Sequence, residues 1–352
     1  MKPATAENSP FETECEGGKI RAYRLRNAAG MHCLISNYGA RLLQWHVPDR
    51  RGRIADVVVG HDTIEAYLEN PDTFFGATVG RVANRTSGAK FALKGKLHRL
   101  PANNGAHHLH GGPNGFHNKI WKVISADDNS ISLGYTSPDG EAGYPGNLSA
   151  EVTYNLNDDG ALSIDFRAQT DRETPVNLTN HAYFNLKGSG EGSIENHLVK
   201  IHADHFLEID SEGIPSGAIA QVANTPFDFR TPAILADRLV PDHPQLKAGR
   251  GFDHHFMCSG NGLRTVAEIL EPSSGRTLEV ATDLPGIQFY TGNFLDGSVK
   301  GKGGVPCMFR SGFCFETQHC PDSLNRPEFP SIVLKPRETY TAKCVYRCGV
   351  AP

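Results

Sequence analysis

Residues 148–170, LSAEVTYNLNDDGALSIDFRAQT, alternate apolar and polar side chains on both sides of Asp158-Asp159-Gly160. Alternation with period two marks a strand with one buried face. A following Asp-Gly step supplies the backbone conformation that a tight turn requires. A hairpin is therefore written locally, and the same pattern recurs along the chain. KIRAYRLRNAAGMHCLISN reads as strand, turn at Asn27–Gly30, strand, and AKFALKGKLHRL pairs two short runs across Lys94-Gly95. TVAEILEPSSGRTLEVAT repeats the arrangement, and PSIVLKPRETYTAKCVYR is expected to close the chain in the same style.

Such a chain has little room for helices. DTIEAYLEN (62–70) carries a candidate cap at Asp62 and one apolar stripe, and TPAILADRLV (231–240) is a second short candidate. Glycine (37) and proline (22) are somewhat more frequent than usual, as many turns would require. No repeat of fixed period and no obvious linker interrupts residues 1–352. The expected fold class is all-β: a single domain over 1–352, two packed antiparallel sheets forming a large β-sandwich, with few short helices.

Several function classes drop out. The net charge of −4 is spread out, without a long basic run, so no nucleic acid is expected as a partner. No stretch approaches the ~20 apolar residues of a membrane span, so no membrane is expected either. The opening MKPATAENSP lacks the apolar core of a secretory signal, which makes a cytoplasmic protein the expectation. Cysteines at 15, 33, 258, 307, 314, 320, 344 and 348 form no CxxC pair and are expected reduced, acting mostly as small buried apolar residues. A Walker loop, a dinucleotide fingerprint and a nucleophile elbow are all absent.

Five polar segments stand out. In VNLTNHAYFNL (176–186), period two puts Val176, Leu178, Ala182 and Phe184 on one face and Asn177, Thr179, His181 and Tyr183 on the other. That row would line a polar cavity or face solvent. GRVANR (80–85) carries Arg81 and Arg85, whose planar forks suit vicinal hydroxyls or a carboxylate, though two surface arginines would read the same. NNGAHHLHGG (103–112) crowds His107, His108 and His110 beside glycines. His-x-His spacing on a strand aims two rings one way, yet no carboxylate or cysteine ligand lies nearby, so no metal is expected. These histidines fit a loop edge offering ring nitrogens to a ligand. GFDHHF (251–256) sets Asp253 between apolar residues, where a carboxylate needs partners. In SGFCFETQH (311–319), Glu316 sits mid-strand on a face otherwise carrying Cys314 and Gln318. Desolvation there would raise its pKa toward the range of a general base, whereas a salt bridge would make it structural. Histidines, an arginine and carboxylates together suit a hydroxyl-rich ligand such as a sugar.

Taken in order, GRVANR, LPANNGAHHLHGG, SPDGEAGYPGNL, VNLTNHAYFNL, FDHHF, PGIQFYTGNFLDG and FCFETQHCPDSLN…FPSIVLKPRETY resemble the aldose 1-epimerase family, the mutarotases, from about residue 75 to about 342. The segment before residue 70 matches more weakly, and FDHHF carries His255 where related sequences vary. The resemblance implies a large supersandwich-type β fold. It implies interconversion of the α and β anomers of aldohexoses such as galactose and glucose, without cofactor. It further implies Glu316 as general base, His181 as general acid, and Asn84, Arg85, His110, Asp253 and Gln288 as substrate-binding residues. The partner would be a small aldose, and a monomer is the expected state.

Rival readings remain at this point. A glycoside hydrolase would use Glu316 and Asp253 as its carboxyl pair and leave His181 without a main role. A carbohydrate-binding module would need no acid–base pair. A hexose-6-phosphate epimerase would need a cationic cluster beyond Arg81 and Arg85.

Overall fold

The computed structural model describes residues 10–351 and is mostly β. Among these residues the largest sheet has nine strands. Its spatial order is Lys122–Ala126, Ser130–Ser137, Leu148–Leu156, Ala161–Thr170, Tyr340–Val350, Arg276–Thr282, Arg264–Leu270, Leu198–Ile201 and Ala233–Ile234. A five-stranded sheet runs Pro215–Gln221, Ala203–Ile209, β1 (Asp253–Cys258), β2 (Gly286–Tyr290) and β3 (Cys314–Gln318). A four-stranded meander, Ala22–Arg26 to Ile54–Asp56, flanks them. Pairing in all three is antiparallel.

The hairpins form where the alternation places them. Leu148–Leu156 pairs with Ala161–Thr170 in unbroken register from Leu148↔Thr170 to Leu156↔Leu162, and Gly160 supplies the positive φ of the turn. Lys90–Leu93 with Lys96–Arg99, Ala22–Arg26 with His32–Ser36, and Arg264–Leu270 with Arg276–Thr282 likewise pair as neighbours.

The C-terminal segment does not. Val333–Leu334 pairs with Thr174–Pro175, while Tyr340–Val350 inserts between Ala161–Thr170 and Arg276–Thr282. Its alternation was sufficient to place one buried face per strand, but the partners come from distant parts of the chain. The first helix, α1 (Ile64–Glu69), is capped by Thr63, whose hydroxyl accepts the Ala66 N–H, and not by Asp62. Asp62 instead accepts the Gly303 N–H. Residues 231–240 hold only a four-residue helix, Leu235–Arg238, and a further short helix at Pro244–Ala248 carried no signal.

The continuous strand expected over 176–186 is broken. Thr179–Asn180 bridges Thr78–Val79, and Tyr183–Phe184 bridges Val58–Val59, with His181 and Ala182 between them. Both sides of this segment are buried. Asn177 trades hydrogen bonds with the His319 backbone, so the polar row splits between the interior and the cavity described below.

The sheet holding β1, β2 and β3 is amphipathic across its two faces. Phe256, Phe289 and Phe315 point into the main core, where Phe289 stacks on Phe315 at 4.7 Å. The in-register row His255↔Gln288↔Glu316 occupies the opposite face. Period two on three neighbouring strands therefore builds a greasy back and a polar front.

Candidate active site

A cavity of about 520 Å³ opens over that polar front, with Asn84, Arg85, His110, His181, Asp253 and Glu316 in its wall. Glu316 stands at the centre of β3 and is 2% exposed. Burial pushes its carboxyl well above the usual carboxylate range, the neighbouring Asp253 charge adds to the push, and Arg85 opposes it. Oε2 of Glu316 has no protein partner.

His181 reaches the same point from the broken segment. Its backbone N–H donates to Ala77 O at 2.8 Å, and its carbonyl accepts the Gly76 N–H at 3.0 Å. The ring stacks on Tyr183 and Phe74, and Nε2 lies 3.5 Å from Oε1 of Glu316. Burial draws this imidazole down to about 4. The two shifts run the same way: burial favours the uncharged form of each group, the carboxylic acid of Glu316 and the neutral ring of His181.

His110 ends the two-residue strand His108–Leu109 with a φ of 52°. The next residue, Gly111, also has positive φ and presses against Gly80, where a Cβ would come within 1.8 Å of the carbonyl oxygen. Nδ1 of His110 accepts the Asn84 N–H at 3.1 Å. A neutral ring accepting at Nδ1 carries its proton on Nε2, so His110 enters the cavity as a donor. That tautomer bears on metal binding. One ligand atom each from His110, His181 and Glu316 lies within 4.8 Å of the others, close enough for an ion. A protonated Nε2 has no lone pair to give, so this trio is built for hydroxyl groups and fits a metal poorly.

Asn84, with φ of 65°, turns the chain so that its Oδ1 accepts the Arg85 N–H at 2.8 Å. Arg85 donates from Nε to Asn104 Oδ1 at 3.0 Å, and its Nη1 lies 3.5 Å from Oδ2 of Asp253. Gln288 donates from Nε2 to Oδ1 of Asp253 at 2.8 Å. Both oxygens of Asp253 are thereby held. Gln288 itself stands behind Asp253 and does not reach the cavity wall.

Other singled-out residues lie elsewhere. Arg81 is buried and structural, bonding Ser137 Oγ and the Ser137, Pro138 and Pro145 carbonyls. His108 is fixed between Pro101 O and the Tyr144 hydroxyl, and His107 lies near Glu212. The positive φ at His110 turns its ring away from the direction that His-x-His spacing implied. His255 is buried off the cavity wall with both nitrogens unpartnered. Phe74, Tyr183 and Tyr290 join the wall. Tyr183 lay on the polar row of its segment, whereas Phe74 carried no sequence signal and its left-handed conformation (φ 54°) appears only in the fold.

The profile of the aldose 1-epimerase family matches residues 21–347. Galactose mutarotase of Bos taurus is 47% identical over 320 residues, covering 90% of this chain and 91% of that protein. Galactose mutarotase of Homo sapiens is 43% identical, covering 95% and 96%. Aldose 1-epimerase of Escherichia coli is 37% identical, covering 94% and 96%. Among solved structures, an aldose epimerase homologue from C. elegans superposes with a TM-score of 0.88 at 32% identity, covering 94% of this chain and 99% of that one. Galactose 1-epimerase from Lactobacillus acidophilus gives 0.84 at 30% identity, covering 97% of each.

Proposed function

Because the chain belongs to the aldose 1-epimerase family, we propose that Glu316 and His181 are the base and the acid of its reaction. The protein is an isomerase that interconverts the α and β anomers of aldohexoses such as galactose. What carries the assignment of roles is the meeting of one carboxyl and one imidazole at 3.5 Å, both buried, in the wall of a cavity of sugar-accepting size.

Ring opening needs a proton removed from the C1 hydroxyl and a proton delivered to the ring oxygen. Glu316 takes the first, the C1–O5 electron pair goes to O5, and the imidazolium of His181 protonates it. The aldehyde turns about C1–C2 and recloses from its other face. His181 then withdraws the O5 proton while Glu316 returns one to O1. Each positioned transfer is typically worth ~10²–10⁴-fold in rate.

Ring opening therefore converts a charged pair into a neutral one. The cavity favours the neutral pair, since burial raises Glu316 and lowers His181. The site thus stabilises the open-chain stage relative to the charged starting pair, and Arg85 counterbalances this by favouring ionised Glu316. Asn84, Arg85, His110 and Asp253 hold hydroxyls away from C1, and Gln288 acts through Asp253 by fixing its carboxylate.

Competing readings have weaker support. With Oδ1 bonded to Gln288 and Oδ2 facing Arg85, Asp253 is a poor second carboxyl for glycoside hydrolysis. Among the described lining residues Arg85 is the one permanent cation, while Glu69, Asp72 and Asp296 add negative charge, an unwelcoming surface for a sugar phosphate. A pure binding module would not need a buried acid–base pair.

We further read residues 1–352 as one domain, in keeping with a main core that draws on side chains from Tyr23 to Cys348. A cytoplasmic monomer without a nucleic-acid or membrane partner is part of the same proposal. Among the described residues no helix is long and apolar enough to cross a membrane.

Polarimetry on freshly dissolved α-galactose tests the roles. Acceleration by the protein, greatly reduced in Glu316→Gln and in His181→Asn, is the expected result. Full activity in either variant would remove that residue from the mechanism.

A further inference from the structure

We propose that Cys314 is a positioning residue for His181, its sulfur accepting the ring's Nδ1–H so that Nε2 alone trades protons. This deepens the acid–base reading above and rests on it.

The geometry comes from a single strand. Sγ of Cys314 lies 3.5 Å from Nδ1 of His181, and Oε1 of Glu316 lies 3.5 Å from Nε2. Cys314 and Glu316 are two residues apart on β3 and share a face, separated by about 6.6 Å along the strand. One strand therefore brackets the imidazole at both nitrogens. Cys314 is fully buried, and burial holds its thiol well above the ordinary range, so it stays an uncharged S–H.

The proton inventory fixes which way the contact runs. With an uncharged Glu316 facing Nε2 at 3.5 Å, the lone pair of the neutral ring belongs at Nε2 and its own hydrogen on Nδ1. When Nε2 later carries a proton to or from the sugar, Nδ1–H stays in place. It needs an acceptor throughout the cycle, and two are at hand: the Cys314 sulfur and the carbonyl of His181 itself.

The choice of sulfur has a chemical consequence. A carboxylate at Nδ1 would raise the basicity of the ring, as in a hydrolase triad. A thiol is a weak acceptor, so it orients the ring and leaves the imidazolium acidic enough to protonate a ring oxygen. The other polar groups around the ring are Glu316, His110, Tyr183 and Tyr290, with His117 and the Arg41 charge acting from further off. None of them hydrogen-bonds Nδ1.

The test combines kinetics with ¹⁵N NMR of histidine-labelled protein, which reads the tautomer without reference to activity. Wild type is expected to show neutral His181 protonated at Nδ1. Cys314→Val, which removes the sulfur and leaves the backbone carbonyl as the remaining acceptor, is expected to lower kcat about tenfold, the scale of a lost orienting partner, with KM unchanged and the tautomer mixed. Cys314→Ser supplies a stronger acceptor. It should retain the tautomer and most of kcat while shifting the acid limb of the pH profile upward. A purely packing role would lower the melting temperature of both variants and leave tautomer and pH limb untouched, which overturns the proposal. So would an Nε2-protonated ring in wild type. If wild type fails to accelerate mutarotation, the catalytic reading is lost, and the tautomer measurement still decides the role of Cys314.

Discussion

Nε2 of His181 and Oε1 of Glu316 lie 3.5 Å apart, although 135 residues of chain separate them, and neither side chain has more than 6% of its surface exposed. Burial favours the uncharged form of both groups, raising the carboxyl and lowering the imidazole, so the proton they exchange is biased toward Glu316.

Glu316→Gln keeps the shape and removes the base. The expected loss in kcat is ~10²–10⁴-fold, with KM changed little. His181→Asn should lose a similar factor. The double variant should be scarcely worse than either single one, because acid and base act as a unit. Multiplying losses in the double variant would mean that the two residues work independently.

Activity should follow a bell in pH. The productive pair carries one proton. A second enters as His181 titrates at about 4, which removes the base. On the alkaline side the pair loses its proton as pH passes the raised value of Glu316, which removes the acid. These are apparent values of the coupled pair. A kcat/KM profile of mutarotation measures both limbs, and an acid limb near 6.5 would contradict the buried neutral imidazole.

Acid should also unfold the protein early. Burial draws His108, His181 and His197 to about 4, and His254 and His255 to about 3. In the unfolded chain these rings titrate near 6.5. Below that pH the unfolded chain binds protons that the fold excludes, so stability is complete above about 6.5 and falls as pH drops toward 4. Melting temperature against pH checks this, and a flat curve from 7 to 4 would contradict it.

Asp253→Asn weakens the grip of Arg85 and Gln288 on one carboxylate. The expected result is a KM raised roughly tenfold or more with a smaller change in kcat, as for a lost charged hydrogen bond to a hydroxyl. Initial rates across galactose concentrations separate the two constants. A loss confined to kcat would place Asp253 in the chemistry.

Neutral sugars should outrun phosphorylated ones. With Glu69, Asp72 and Asp296 around the cavity, glucose 6-phosphate should be turned over at least about tenfold less efficiently than glucose, and added salt should narrow the gap by screening. Equal efficiencies in the polarimetric assay would overturn the electrostatic argument.

Gly111→Ala should damage both stability and site. A Cβ at Gly111 would collide with the Gly80 carbonyl, and φ of 86° is already costly for alanine. A loss of about 2 kcal/mol or more in chemical denaturation is expected, accompanied by weaker sugar binding as His110 is displaced. Unchanged unfolding would show that the loop moves freely.

Much of this protein was legible in local pattern. The Leu148–Leu156 hairpin, its three smaller counterparts and the amphipathic β3 strand follow from side-chain alternation and turn chemistry. Glu316 was visible as a carboxylate set in an apolar strand. Less was legible where a residue's role depends on a distant contact. Arg81 and Arg85 look alike in GRVANR, yet one is sunk among the carbonyls of residues 137–145 and the other faces Asp253. His108 and His110 look alike too, and a single positive φ sends their rings different ways.

The sequence by itself determined a chain of antiparallel strands, because a strand's buried face and the turn after it are encoded within some twenty neighbouring residues. It also determined, through motif order, the family. Only the tertiary structure decided which imidazole meets Glu316 and which tautomer His110 adopts. It alone set the C-terminal strand between two partners far from it in the chain. Those outcomes depend on register and backbone conformation at separated sites, and on burial that moves a proton from one group to another. No stretch of sequence carries that information until the sheets have closed around the cavity.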